Sequence, residues 1–372
     1  MANCFGQLLY NKQDIEKISG LSPEMRALWI KTKCDQLEIA FPPKKRGLKP
    51  IDRGKIDPIA LDTLTKVESV LSPYKNIICS ISGGSDSDVV LDILARGTSR
   101  FDEIRFVYFD TGVEYQATKT HLDELEKKYG MKIVRYKAIK SIPTCAREYG
   151  QPFLSKYVSH MLNALQKYGF TWEDRPYEDL AREYPRCSSY LKWWCNVYSP
   201  LYSISRNKWL KEFIVANPPT FPISDKCCEY AKKKVADKCR IEYSGDLMII
   251  GVRKAEGGVR SMTYKSCFDS HTKQGIAQFR PIFWFSNEDK ARYDAACDIN
   301  HSDCYTVYGL KRTGCVGCPF NPRLTEEIEV IREFEPNLVE VTGRIWKDSY
   351  EYTEKYRAFA QMMNEREKNG KI

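Results

Sequence analysis

The chain has 372 residues, 42% hydrophobic and 12% aromatic, enough for a sizeable core and roughly two domains. No run of about 18 apolar residues occurs, and the start, "MANCFGQLLYNKQDIEK", lacks a basic then apolar leader, so neither a membrane span nor a secretory signal is expected. The expected compartment is the cytoplasm, and the net charge of +9 suits an anionic ligand or nucleic acid as well as a merely basic soluble surface.

Residues 1–60 read as an N-terminal extension. "SPEMRALWIKTKCDQLEIAF" has a Ser cap before Pro and predicts a helix. "PPKKRGLKPIDRGK" reads as an exposed basic linker. From 61 a βα alternation begins. "LDTLTKVESVL" has helical spacing, "KNIICSI" is a strand-length apolar run, and "SDVVLDILAR" is helical again. "EIRFVYFD" predicts a strand, "YQATKTHLDELEKKYG" a helix ending in Gly, and "KIVRYKA" another strand. Strands separated by helices predict an α/β fold, a Rossmann-like parallel sheet with crossover helices. Ligands bind such sheets at the carboxyl ends of the strands.

The rhythm is lost over about 141–225, which predicts a helical insertion. Its stretch Tyr190–Trp209 is rich in aromatics, fitting either core or a nucleic-acid contact. A strand returns with "DLMIIGVR". The domain runs over 61–323, and a charged helical tail occupies 324–372.

The polar turn "SISGGSDSDVV" lies between a strand and a helix. Glycines there let backbone N–H groups approach phosphate oxygens, and the helix N-terminus adds positive potential. Neither GxxxxGK[ST] nor GxGxxG is present, so two common phosphate fingerprints fail. The pattern that remains is Ser82, Gly83, Gly84, Ser85, Asp86 and Ser87. It resembles the pyrophosphate-binding loop of the ATP pyrophosphatase superfamily. Ser87 is expected to cap the helix and donate to a phosphate, and Asp86 to hold Mg2+. The next strand ends in Asp110, Thr111, Gly112 and Glu114, which resembles the DTG-x-E segment of the phosphoadenosine phosphosulfate (PAPS) reductase family within that superfamily. "GVRKAEGGVRS" resembles that family's G-x-R-x-x-E-S-x-x-R, with Gly251, Arg253, Glu256 and Arg260 in place and Gly257 where the Ser stands. Paired arginines grip phosphate or sulfate well.

Fourteen cysteines in a chain without an expected export signal point to metal or redox chemistry where they cluster. Cys227–Cys228, followed far downstream by Cys315-x-x-Cys318, is similar to the ligand pattern of the iron–sulfur branch of the same family. Lys232 stands in the place of its lysine, and Val235 stands near that of its proline. Zinc competes for four thiolates. Adjacent cysteines point apart, however, and a [4Fe–4S] cube offers each a separate iron. Cys239 and Cys267 are reserve ligands. Scattered cysteines, such as Cys4, Cys34, Cys79 and Cys145, read as small buried hydrophobes.

The resemblance spans about 76–320 and implies an adenine nucleotide alpha hydrolase-like fold binding ATP, PAPS or adenylyl sulfate. The first implied activity is reduction of PAPS or adenylyl sulfate to sulfite with a thioredoxin-type donor. Asp86 and Lys232 are candidate catalytic residues. Sulfonucleotide reductases carry a nucleophilic cysteine near the C-terminus, which this sequence lacks. Cys187, Cys195 and Cys304 are substitutes. The second implied activity is ATP-dependent thiolation of nucleic acid, as in DNA phosphorothioation or tRNA thiolation. The third is non-catalytic nucleotide or cluster binding.

Overall fold

The computed structural model describes residues 21, 22, 25, 28, 29, 32, 47–49, 51, 56–257, 263–270, 272 and 275–370. Arg260, Cys4, Cys34 and most of the expected N-terminal helix and basic linker lie outside the described residues.

In chain order come α1 (Pro58–Leu71), β1 (Ile77–Ser80), α2 (Ser85–Gly97), β2 (Arg105–Asp110), α3 (Gln116–Tyr129) and β3 (Ile133–Lys137). The helical stretch follows, with α4 (Ile142–Tyr149), α5 (Lys156–Lys167), α6 (Tyr177–Glu183), α7 (Ser188–Trp194) and α8 (Leu210–Ala216). A helical turn Lys226–Cys228 and a π-helical turn Glu229–Lys233 lead into α9 (Lys234–Glu242). Then come β4 (Leu247–Ile250), β5 (Phe268–Asp269), β6 (Ala277–Phe279), α10 (Asn287–Cys297), α11 (Asp303–Thr306), α12 (Leu324–Phe334), α13 (Asn337–Ile345) and α14 (Lys347–Lys368). No helix among the described residues is long and apolar enough to cross a membrane.

The chain divides into two compact units. Among the described residues, unit 1 takes those up to 109, 115–136 and 236–313, and unit 2 takes 110–114, 137–235 and those from 314 onward.

Unit 1 carries a six-stranded sheet in the order β3-β2-β1-β4-β6-β5. β1 pairs in parallel with β2 on one side and β4 on the other, so Cys79 faces Phe106 and Ile249 in register. Such a central strand is buried on both faces, which is why "IIC" and "LMII" are apolar without alternation. The expected parallel, helix-crossed sheet is present, with an antiparallel edge strand, β5, added against β6.

One buried carboxylate ties the helices of this unit together. Asp92 on α2 has no solvent exposure. It accepts from Arg96 Nε at 2.6 Å, Tyr129 Oη at 3.0 Å and Tyr293 Oη at 2.8 Å. Three donors from α2, α3 and α10 offset the cost of taking the charge out of water. Asp92→Ala removes the buried charge that Arg96 Nε, Tyr129 and Tyr293 share, so stability should fall by about 3–5 kcal/mol in urea unfolding. A variant within 1 kcal/mol of the parent, roughly the worth of a single ordinary hydrogen bond, would show that the carboxylate is not a keystone.

Unit 2 is helical, with a core of aromatic rings. Phe153, Leu162, Trp193, Trp194, Phe213 and Tyr352 are buried together. Phe213 of α8 meets Tyr352 and Tyr356 of α14 at centroid separations of 4.9 and 5.4 Å. The aromatic stretch Tyr190–Trp209 therefore splits by position. Trp193 and Trp194 enter the core, and Trp209 Nε1 donates to Asn364, whereas Tyr198 and Tyr202 stay exposed.

Candidate nucleotide loop and cysteine centre

In unit 1, Ile81 continues the ladder of β1 by donating to the Val107 carbonyl at 2.8 Å, and the chain then turns sharply into α2. Gly83 sits at φ +66°, and a Cβ there would lie 2.8 Å from Thr118 Cγ2, so only glycine fits without strain. Gly84 is the N-cap of α2 and has no side-chain cap. The Ser87 hydroxyl was expected to cap the helix. Instead it donates back to the Gly84 carbonyl at 2.7 Å and approaches Ser82 Oγ at 3.3 Å. Those two hydroxyls brace the turn from inside.

Gly251, just past β4, lets the chain pass close to the same turn, since a Cβ there would lie 3.3 Å from the Asp86 carbonyl and the Ser87 nitrogen. Arg253 is buried, its Nε donating to Asp86 Oδ1 at 2.9 Å and its Nη1 to Asn287 Oδ1 at 3.0 Å. In this structure the guanidinium is thus engaged in positioning Asp86. Burial and a hydrogen bond with Glu256 push the Asp86 carboxyl up to about 6, against the pull of Arg253.

A second network in unit 1 had no sequence signal, because its members are distant in the chain. Asp88 on α2 is buried, with His121 Nε2 3.0 Å from one oxygen and His301 Nδ1 2.8 Å from the other. His301 Nε2 in turn lies 3.1 Å from Asp294 and 3.2 Å from Lys290 Nζ. Burial alone would raise Asp88, but the bonds from His121 and His301 outweigh it and hold the carboxyl below its usual range. Burial works against the charged form of His301. Its bonds to Asp294 and Asp88 prevail and raise it to about 9, although Lys290 opposes them.

In unit 2, the turn 110–114 is held by its own acids. Gly112, at φ +83°, donates its N–H to Asp110 Oδ1 at 2.8 Å, and Glu114 Oε1 accepts from the Thr111 hydroxyl and N–H at 2.5 and 3.1 Å. Thr111 Oγ1 also lies 3.6 Å from Cys315 Sγ, and the Val316 N–H bonds to the Val113 carbonyl at 3.1 Å. This ties the DTG-x-E turn to the C-x-x-C loop. Gly317 in that loop has φ +60° and no room for a Cβ beside Tyr350 and Thr342.

Cys227, Cys228, Cys315 and Cys318 lie within electrostatic reach of one another. The hydrogen bond from Cys227 lowers Cys228 to about 6, and Lys156 and Lys232 pull the same way against burial. The same bond and burial push Cys227 up, and burial pushes up Cys315 and Cys318. Lys232 leaves the π-helical turn, a local distortion common at functional sites. The residue as a whole is exposed, yet Cys315 first, then Glu114, Cys228 and Cys318, raise its affinity for the proton against desolvation. Four thiols with a cation among them have the donor chemistry of a [4Fe–4S] site, and Lys232 would offset thiolate charge. Among the described residues, no three His, Cys, Asp or Glu side chains form a site for a single metal ion.

The other cysteines are placed differently. Cys239 and Cys267 belong to unit 1, as does Cys304, which is buried beside Thr118. Cys187 is buried in the unit 2 core and Cys195 is half-buried; burial raises both thiols. Cys79 and Cys145 are fully buried, as small hydrophobes are.

Residues 76–172 match the model of the phosphoadenosine phosphosulfate reductase domain. This segment is similar to PAPS reductase-family domains. An uncharacterized protein of Methanocaldococcus jannaschii is 24% identical over 324 residues, which cover 87% of this chain and 51% of that protein. The chain thus spans about half the length of this curated relative. Among solved structures, PAPS reductase from Candida auris, in a phosphate complex, is 12% identical, with 83% of this chain and 98% of that one covered at a TM-score of 0.37. The U34-tRNA thiolase NcsA from Methanococcus maripaludis, with its [4Fe-4S] cluster, is 13% identical, with 82% and 79% covered at a TM-score of 0.33.

The Asp88 network behind the domain's loop makes a pH test. His301 holds its proton more tightly folded than unfolded, so its contribution is complete below the unfolded value of 6.5 and is lost as pH rises through about 9. Urea unfolding across that window should show a fall in stability that His301→Gln removes. Parallel pH profiles for parent and variant would contradict the assignment.

Proposed function

We propose that this chain is an ATP-dependent sulfur-transfer enzyme whose acceptor is nucleic acid. The observation that carries the reading is the division of the thiols. Cys227, Cys228, Cys315 and Cys318 gather in one unit with Lys232 among them. The substitutes for a lone attacking thiol, Cys187, Cys195 and Cys304, are buried or half-buried, and burial makes Cys187 and Cys195 poor thiolates.

In this reading the backbone amides of Ser82–Ser87 hold the phosphates of ATP, with the positive end of α2 behind them. Asp86, which accepts from Arg253, would bind the Mg2+ that accompanies the nucleotide. An acceptor oxygen attacks the α-phosphorus and pyrophosphate leaves. A sulfide-level sulfur then displaces AMP from the activated acceptor. Cys227, Cys228, Cys315 and Cys318 would hold a [4Fe–4S] cluster, which when bound supplies an iron site for that sulfur. Lys232 offsets the negative charge of the thiolates.

A second reading, reduction of PAPS or adenylyl sulfate to sulfite, is favoured by the match of residues 76–172 to the PAPS reductase domain. Here Arg253 and Arg260 would face the anionic end of the sulfonucleotide. One pair of assays separates the readings. ATP should be cleaved to AMP and pyrophosphate, and a mixed pool of single-stranded RNA and DNA with sulfide should stimulate cleavage about tenfold, a barrier change of about 1.4 kcal/mol. Sulfite released from PAPS by the protein with reduced thioredoxin, and no ATP cleavage, would overturn the transfer reading.

A further inference from the structure

Unit 2 has a surface that the chemistry above does not use. Residues 196–202, Asn-Val-Tyr-Ser-Pro-Leu-Tyr, are all exposed. Val197, Tyr198, Leu201 and Tyr202 are 51%, 39%, 49% and 46% exposed, unusual for four large apolar or aromatic side chains in one short loop.

The loop is built rather than loose. Asn196 turns the chain at φ +56°, and its side chain accepts from the Ser205 N–H at 3.1 Å. The Ser203 hydroxyl donates to the Tyr198 carbonyl at 2.8 Å. Tyr157, at the start of α5, donates its hydroxyl to the Tyr202 carbonyl at 3.2 Å and has Tyr198 as a further neighbour. Three tyrosines thus share one exposed patch.

Charge decides what such a patch suits. Residues 185–211 carry Arg186, Lys192, Arg206, Lys208 and Lys211, and no acidic residue. Lys208 and Lys211 are paired with Glu367 and Asp174, whereas Arg206 stays exposed beside the loop. Lys192 lies at its other end, where its carbonyl accepts from the Val197 N–H at 2.9 Å. Exposed Lys156 precedes Tyr157 and reaches Cys228 electrostatically. An acid near this end of α5 is Asp225, 3.9 Å from His160. Aliphatic side chains alone would suit a protein partner. Tyrosine faces interleaved with cations suit a polyanion with π-faces of its own.

We propose that Tyr157, Tyr198 and Tyr202, with Lys156, Lys192 and Arg206, form a docking surface for single-stranded nucleic acid at the start of α5. The proposal rests on the sulfur-transfer reading for its purpose, and on the patch for its place. Bases stack on the tyrosines, and the backbone phosphates lie on the three cations.

The test is fluorescence anisotropy of a labelled single strand of roughly 20 nucleotides, RNA and DNA in turn, with the full chain. Tyr198→Ala/Tyr202→Ala should weaken binding at least about tenfold, and Tyr198→Phe/Tyr202→Phe should restore it, because stacking needs the ring and not the hydroxyl. Lys192→Gln/Arg206→Gln should flatten the logarithmic salt dependence by about 0.7 for each phosphate no longer neutralised. Should the alanine pair melt at a lower temperature, the glutamine pair decides. Unchanged affinity in the alanine and glutamine pairs, no binding by the parent, or duplex bound as tightly as single strand overturns the proposal. So does a parent dimer that the alanine pair dissociates while oligonucleotide binding persists, which would assign the patch to a second copy. Parent ATP cleavage to AMP and pyrophosphate, measured with saturating nucleic acid and sulfide, reports on the transfer reading separately. Cleavage without oligonucleotide binding sinks the docking surface alone, and binding without cleavage sinks the transfer reading alone.

Discussion

The turn that follows β1 must hold its backbone in one tight shape if an anion is to rest on it, and that constraint shapes its surroundings in unit 1. β1 is flanked by parallel partners on both sides, so its chain has no freedom to leave except through a tight turn. Gly83 makes the turn at a positive φ, and Gly251 keeps the neighbouring strand end free of a side chain. Ser82 and Ser87 bond each other and the Gly84 carbonyl from inside, and their hydroxyls also take the Ser82 and Gly84 N–H groups at 3.4 and 3.3 Å. Below, Asp88 and Asp92 place two buried negative charges on α2, and each is answered by donors from other elements. The helix that faces the proposed phosphates is therefore anchored by its buried acids rather than by apolar packing alone.

Unit 2 meets a different electrostatic problem. Four thiols brought together resist ionisation, because each thiolate disfavours the next and burial disfavours all of them. At Cys228 the hydrogen bond from Cys227 overcomes that resistance, and Lys156 and Lys232 pull the same way. The Thr111–Glu114 turn, bonded to the C-x-x-C loop through Val113, fixes the loop's position. The π-helical turn after Cys228 shifts the helical register by a residue, and Lys232 lies within it.

The sheet was legible because a buried parallel strand must be apolar at every position, and "IIC" and "LMII" are. β5 and β6, of two and three residues, carry too little pattern to be read, and their pairing is fixed by unit 1's edge. In the site, glycine positions were legible because backbone geometry limits the choice of residue. Partnerships were not. Arg253 reads as an anion grip, yet its Nε is spent on Asp86, 167 positions away in the chain. His121 and His301 flank Asp88 from distant elements, and neither has a motif. Aromatic richness over Tyr190–Trp209 did not reveal which rings enter the core; only packing separates Trp193 and Trp194 from Tyr198 and Tyr202.

The account rests on four cysteines of unit 2 acting as one cofactor site. The direct measurement is iron and acid-labile sulfide in protein purified without oxygen, set beside a Cys315→Ser variant. About four irons and four sulfides per chain, lost in the variant, is the predicted result. One zinc per chain, or no bound metal after reconstitution with iron and sulfide, would contradict it.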